Sequence, residues 1–241
     1  MKLGEIYVLL DVKSPFALAE SWDNSGILIG RRDSDVSKIV LSLDASLDVV
    51  QNAPQGSLII THHPFIFSAI KTIDLDSTVG KIIHEAIKKD ISIISMHTNY
   101  DKSVMNSYFV SEILGFDSFL QDEFICKAAV DMSFDELVDL VKTKLGLQNV
   151  NCVLPKQSRI TSIGITTGSG GEFVFDSGCD VFLTGDVKYH TAFEASERGV
   201  GIIDVTHYAS ELCFSESMAK ILKILPIEVI ITNSKNPFGQ Y

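Results

Sequence analysis

The sequence predicts an α/β fold of two duplicated lobes with mixed, mostly parallel sheets, and three observations carry that expectation. Short apolar runs rich in β-branched residues alternate with segments whose apolar residues recur every three or four positions, as buried strands and amphipathic helices do when stacked in layers. The order of these elements occurs twice along the chain. Polar side chains gather where the apolar runs stop, the place where an open α/β sheet exposes the carboxyl ends of its strands.

The first strand is expected at Ile39 to Leu43 and the second at Leu58 to Thr61, each apolar throughout and too short for a helix. A helix over Val79 to Lys89 then leads to a strand over Ile91 to Met96, and a second helix over Asp101 to Leu114 stops at Gly115. Ser133 with Glu136 three residues later forms a capping box that starts a helix running to Leu145, with Gly146 beyond its end. Strands follow at Ile160 to Ile165 and Val181 to Thr184, then a helix over Thr191 to Arg198 ending at Gly199, and a strand over Ile202 to Val205. A long helix is expected over Tyr208 to Leu225, stopped by Pro226, with a last strand at Ile227 to Ile231. The helix-strand pairs Glu85 to Thr98 and Glu194 to His207 superimpose at an offset of about 109 residues, which sets Thr98 opposite His207. The expected lobes are residues 1–124 with 226–241, and residues 125–225; the crossing falls near Asp117 to Phe124 and the last strand returns to the first lobe.

Composition excludes several classes. The 241 residues are 46% hydrophobic, enough for one large core or two modest ones. No apolar run approaches the roughly 20 residues that cross a bilayer, and Glu5 and Asp11 interrupt the N-terminal segment where a secretory signal needs an apolar core, so a cytoplasmic protein with no membrane partner is expected. A net charge of -11 argues against nucleic-acid binding through many phosphates. Cys126, Cys152, Cys179 and Cys213 stand singly without a metal-binding spacing and read as reduced thiols.

The chemistry lies at the strand ends: Asp44, His62 with His63, His97 to Asp101, Asp186 and His207. One histidine at such a place is more often a packed residue than a ligand, but several together shift the reading toward a metal. His207 and Glu211 stand four apart at a helix start, hence on one face a turn apart. With His62, His63 and Asp101 they make three imidazoles and two carboxylates, a set suited to zinc, iron or manganese. Five ligands exceed what one open zinc takes and suit two ions about 3.5 to 4 Å apart, a pair that lowers the pKa of water to near 7.

The motifs Ala19 to Gly26, Ser42 to Ser46, Thr61-His62-His63-Pro64, His97-Thr98-Asn99-Tyr100-Asp101, Thr184 to His190, Asp204 to Glu211 and Asn236-Pro237-Phe238 occur in an order and spacing that is highly specific. In these the chain resembles the NGG-interacting-factor-three-like proteins, known in bacteria as GTP cyclohydrolase I type 2 homologues or dinuclear metal centre hexameric proteins. The resemblance runs over essentially the whole chain. It implies that the two lobes are intertwined, that His62, His63, Asp101, His207 and Glu211 are the metal ligands for two divalent ions per chain, and that the protein is a toroidal homohexamer, a trimer of dimers. One departure concerns the family's Gly-Gly-Val-Asn-Asp stretch after the aspartate of the His-Thr-Asn motif. Here Asp101-Lys102-Ser103-Val104-Met105-Asn106-Ser107 lacks the glycine pair, which alters the loop expected over the metals.

The reading is a two-metal hydrolase acting on a small molecule. The resemblance names GTP, with opening of the guanine imidazole ring and release of formate; a phosphoesterase or amidohydrolase would use the same ions, and a non-catalytic metal-binding scaffold or partner-binding regulator is the alternative from another class. His97 and His190 are candidates for proton transfer or for orienting a ligand, and Asp186 and Lys188 for contact with a polar or phosphorylated substrate. Trp22, Asp23 and Asn24 read as shaping a turn and a subunit contact, and His84 as structural.

Overall fold

The structure is a computed structural model that describes residues 1–239. In chain order the first stretch contains α1 (Leu3–Lys13), β1 (Gly26–Ile29), β2 (Ile39–Ser42), α2 (Leu47–Asn52), β3 (Leu58–Thr61), α3 (Thr78–Lys88), β4 (Ser92–Ser95) and the short α4 (Thr98–Tyr100). The helical run continues through a π-helical stretch, Asp101–Met105, into α5 (Asn106–Tyr108) and a second π-helical stretch, Phe109–Leu114. Next come β5 (Phe119–Asp122), β6 (Ile125–Met132), α6 (Phe134–Leu145), β7 (Asn151–Val153), β8 (Ile160–Ile165), β9 (Val181–Thr184), α7 (Tyr189–Arg198), β10 (Gly201–Asp204) and α8 (His207–Glu211). Last are α9 (Phe214–Leu222) and β11 (Val229–Ile231). Contacts divide the chain into two units, Met1–Ser103 with Phe214–Tyr241, and Val104–Cys213, so the second is inserted into the sequence of the first.

The first unit carries a five-stranded sheet in the order β1-β4-β3-β2-β11. Three of its four pairings are parallel, and β1 runs antiparallel to β4 at the edge. Strands β2, β3 and β4 are buried at every position, which is why they appear in the sequence as unbroken apolar runs rather than alternating ones. Ile59, Val40 and Ile93 pack with Val49, Val50, Ile82 and Ala86 of the covering helices α2 and α3. Ser46 and Ser77 cap these helices by accepting from Val49 N and Gly80 N.

The second unit carries a six-stranded sheet in the order β5-β6-β8-β9-β10-β7. Its β8-β9-β10 core is parallel, and its other three pairings are antiparallel. Read outward from β8, the order β8-β9-β10-β7 repeats β2-β3-β4-β1: three parallel strands, then one antiparallel strand beside the last. That repetition is the duplicated α/β architecture expected from the sequence. The capping box of α6 forms as expected, with Ser133 Oγ accepting from Glu136 N and the Glu136 carboxylate accepting from Ser133 N at 2.7 Å.

One of the expected helices is divided, and α1, α2, β1, β5, β6 and β7 are elements that the apolar pattern did not announce. The single helix expected over Tyr208 to Leu225 is two, α8 and α9, broken at Leu212 and Cys213 without a Gly or Pro. No helix among the described residues is long and apolar enough to cross a membrane.

Candidate metal centre

Parallel register aligns the carboxyl ends of the first sheet. Ser42 pairs with Thr61 and Thr61 with Ser95, so the residues just beyond them, Asp44, His62 with His63, and His97, leave the sheet side by side. Two side chains tie off the strand ends: Thr61 Oγ1 donates to His63 O at 2.9 Å and Ser95 Oγ to His62 O at 2.7 Å.

His62 is fully buried, and its Nδ1 lies 2.8 Å from the Met96 carbonyl. A carbonyl oxygen only accepts, so Nδ1 carries a ring proton, and Nε2 is the nitrogen through which the ring, when neutral, would ligate a metal. Nε2 stands 3.6 Å from Oδ1 of Asp101, itself a buried carboxylate. Two ligand atoms about 2.1 Å from one ion and about 109° apart lie about 3.4 Å from each other, so the spacing suits a shared cation.

His63 and His97 repeat the arrangement with carboxylates. His63 Nδ1 is 2.8 Å from Asp44 Oδ1, whose other oxygen accepts from Ser234 Oγ at 2.6 Å. His97 Nδ1 is 2.7 Å from Asp23 Oδ1, and Asp23 also accepts from Asn24 N, Ser25 Oγ, Thr98 N and Thr98 Oγ1. Burial would raise the Asp23 carboxyl, but bonds from His97, Thr98 and Ser25 and attraction to the His97 ring hold it well below the usual carboxylate range. One nitrogen each of His62, His63 and His97 lie within 4.8 Å of one another, a grouping that could hold a metal ion.

The second sheet ends in the same style. Thr184 pairs with Asp204, and beyond them Asp186 and His207 meet, with Asp186 Oδ2 2.8 Å from His207 Nδ1. His207 Nε2 is 2.9 Å from Oε2 of the buried Glu211, one helical turn on. Thr206, immediately before His207, has φ 72° and ψ 153°, a conformation that a β-branched residue adopts only under constraint. Gly185 explains part of that constraint, since a Cβ there would sit 2.5 Å from Thr206 C and His207 N. Gly168, at φ +67°, is required too: its Cβ would lie 2.1 Å from Glu211 Oε1.

Of the residues singled out in the sequence, His62, His63, Asp101 and His97 come together in the first unit, and His207, Glu211 and Asp186 in the second. Asp186 sits on the His207 ring, where it fixes the tautomer. Lys188 and His190 are exposed at the start of α7, with His190 edge-on to Tyr189 at 5.4 Å. The sequence places Asp44 at a strand end without giving it a partner or a role, and reads Asp23 as shaping a turn and a subunit contact rather than as part of the site. Asp44 was within reach, because an in-register parallel pairing of Ser42 with Thr61 puts it beside His63; Asp23 needed the antiparallel pairing of β1 with β4.

The model of the family described as Duf34/NIF3 (NGG1p interacting factor 3) matches residues 1–237. This chain belongs to that family. A Campylobacter jejuni relative named GTP cyclohydrolase 1 type 2 homolog is 50% identical over 241 residues, covering 100% of both chains. A Helicobacter pylori family member named GTP cyclohydrolase 1 type 2 is 42% identical, covering 97% of this chain and 96% of its own. Among solved structures, a Staphylococcus aureus hypothetical protein superimposes with TM-score 0.89 at 28% identity over 100% of this chain and 99% of its own. Reduced HcgD from Methanocaldococcus jannaschii does so with TM-score 0.85 at 25% identity, covering 96% and 97%. The Duf34/NIF3 chain described here thus combines a full-length family match with buried His, Asp and Glu groups that could hold metal ions.

Proposed function

We propose that this protein is a metal-dependent hydrolase that holds two divalent ions per chain through His62, His63, Asp101, His207 and Glu211, and that its substrate is a nucleotide of the GTP kind. The observation that carries the reading is shared by the three histidines of this set. Each has Nδ1 engaged by an oxygen, the Met96 carbonyl, Asp44 or Asp186, so that Nε2 is the atom turned to other work. A solvated surface histidine has no need of that second partner. Divalent ions bound there would supply Lewis acidity and bring the pKa of water to near 7.

His97, aligned by Asp23, moves protons beside His62 and His63, and His190 is a second proton carrier. Lys188 contacts substrate phosphate, while Asp186 serves the His207 ring. On GTP, one water adds at guanine C8 and opens the imidazole ring to a formamide by breaking one C–N bond, and a second water hydrolyses that formamide, leaving a free amine and formate. The names of the Campylobacter and Helicobacter relatives support this substrate. The reading includes a cytoplasmic toroidal homohexamer, a trimer of dimers, to be checked by light scattering.

The test is elemental analysis of purified protein, with zinc, iron and manganese each supplied, followed by assay of formate release from GTP for wild type and Asp101→Ala. About two ions per chain and turnover lost in Asp101→Ala support the enzyme. A metal-free preparation that remains active refutes it, and a metal-loaded protein inert toward nucleotides, esters and amides supports the scaffold reading instead.

A further inference from the structure

Two large aromatic side chains stand in solvent beside the histidine cluster. Trp22 is 57% exposed and Phe67 is 50% exposed, values far outside the usual burial of such rings. Their centroids are 6.0 Å apart, tilted by 49°, and each lies 6.3 Å from the His97 ring, which meets it edge-on. His97 in turn lies 5.1 Å from His62 and 5.8 Å from His63.

The ledge is held in place from beneath. Trp22 belongs to the segment before β1 and Phe67 to the loop after β3, and Asn24 Nδ2 donates to Ile66 O at 2.6 Å, fastening one to the other. On the Trp22 side, Glu20 N donates to Thr98 Oγ1 at 3.0 Å, and the buried Asp23 carboxylate bonds His97 and Thr98. Both aromatic rings therefore ride on backbone anchored to the start of α4, and each keeps about half of its surface in solvent. A tilted pair is an open corner rather than a slot, so it offers a face to one flat ring and an edge contact to its rim.

We infer that Trp22 and Phe67 form the subsite that takes the purine ring of the substrate, stacking it next to His97. This rests on the nucleotide reading above and deepens it. Stacking on an aromatic face is tolerant of base identity and indifferent to phosphate, so the subsite binds guanosine without its triphosphate.

Trp22 is the only tryptophan of the 241 residues, so its emission reports on the ledge alone. The experiment titrates the metal-loaded full chain with guanosine, GTP and inorganic triphosphate, following Trp22 fluorescence and, in parallel, heat of binding and formate release. Guanosine and GTP are expected to quench Trp22 with saturation and inorganic triphosphate to leave it unchanged. Phe67→Ala is expected to weaken guanosine about tenfold, and Phe67→Tyr to restore it.

GTP turned over with no response from Trp22 overturns the subsite and leaves the hydrolase reading standing. Guanosine that quenches Trp22 in a protein that never releases formate does the reverse. Absence of any guanosine or GTP binding overturns the inference, as does a Trp22 shielded from acrylamide in the free protein, which would mean a second copy covers the ledge.

Discussion

Asp23→Asn tests how the site is oriented. The carboxylate has no solvent exposure, and its two oxygens divide their work. Oδ1 accepts from Asn24 N and His97 Nδ1, Oδ2 from Thr98 N, Thr98 Oγ1 and Ser25 Oγ. An amide replaces one oxygen by an NH2 group, and either choice sets it against a backbone N–H, Asn24 on one side or Thr98 on the other, which cannot reverse. The loss is about 1.5–3 kcal/mol for bonds to a charged acceptor and about 1–3 kcal/mol for the stranded donor, so about 3 kcal/mol is expected once the loop relaxes. Denaturant midpoints of wild type and variant measure it. Because the folded carboxyl lies below its unfolded value of 3.8, its contribution is fully present above that value and is lost as pH falls through the depressed folded one. The gap between the two proteins therefore narrows below about pH 4. A variant as stable as wild type at pH 7, or a gap that does not narrow in acid, refutes the reasoning.

Three further outcomes follow from the same geometry. Asp44→Asn leaves the fold intact, since that side chain is 45% exposed, but lowers metal affinity about 10- to 100-fold in chelator competition by releasing the His63 ring. Gly168→Ala costs about 1–2 kcal/mol for its left-handed backbone and also displaces Glu211, so both thermal stability and metal binding fall; unchanged values in both would count against the crowding described. Thiol labelling of the native protein at pH 8 modifies the exposed Cys152 before Cys126, whose thiol is pushed up to about 12 by burial, and Cys126 reacts only after unfolding.

How much of this was legible follows from burial and register. Strands β2, β3, β4 and β9 are buried at every position and announce themselves as apolar runs; β5, with alternate positions open to solvent, carries no such run. Helix α1 was hidden for the opposite reason. Leu3, Ile6 and Leu10 are its buried face, but Val8 and Val12 on the outside are apolar too, which erases the periodicity. One crossing between units falls inside a helical stretch, at Ser103, and the other in the two-residue break between α8 and α9, at Cys213, where no Gly or Pro marks it. The site histidines were readable because each sits just past an apolar run, and Glu211 because it stands four residues after His207. Their Nδ1 partners were not, because that pairing depends on which strands lie next to one another.

The backbone at Thr206 has a consequence for how the second sheet opens. A β-branched residue at φ 72° costs about 1–3 kcal/mol relative to relaxed backbone, and that energy is returned whenever the turn lets go. Local opening at this point is cheaper by the same amount, so amide hydrogen exchange at Thr206 and His207 is expected to outpace that of Ile202 and Ile203 in the adjoining strand. The strain thus makes the turn that carries His207 the first place at which the end of β10 loosens.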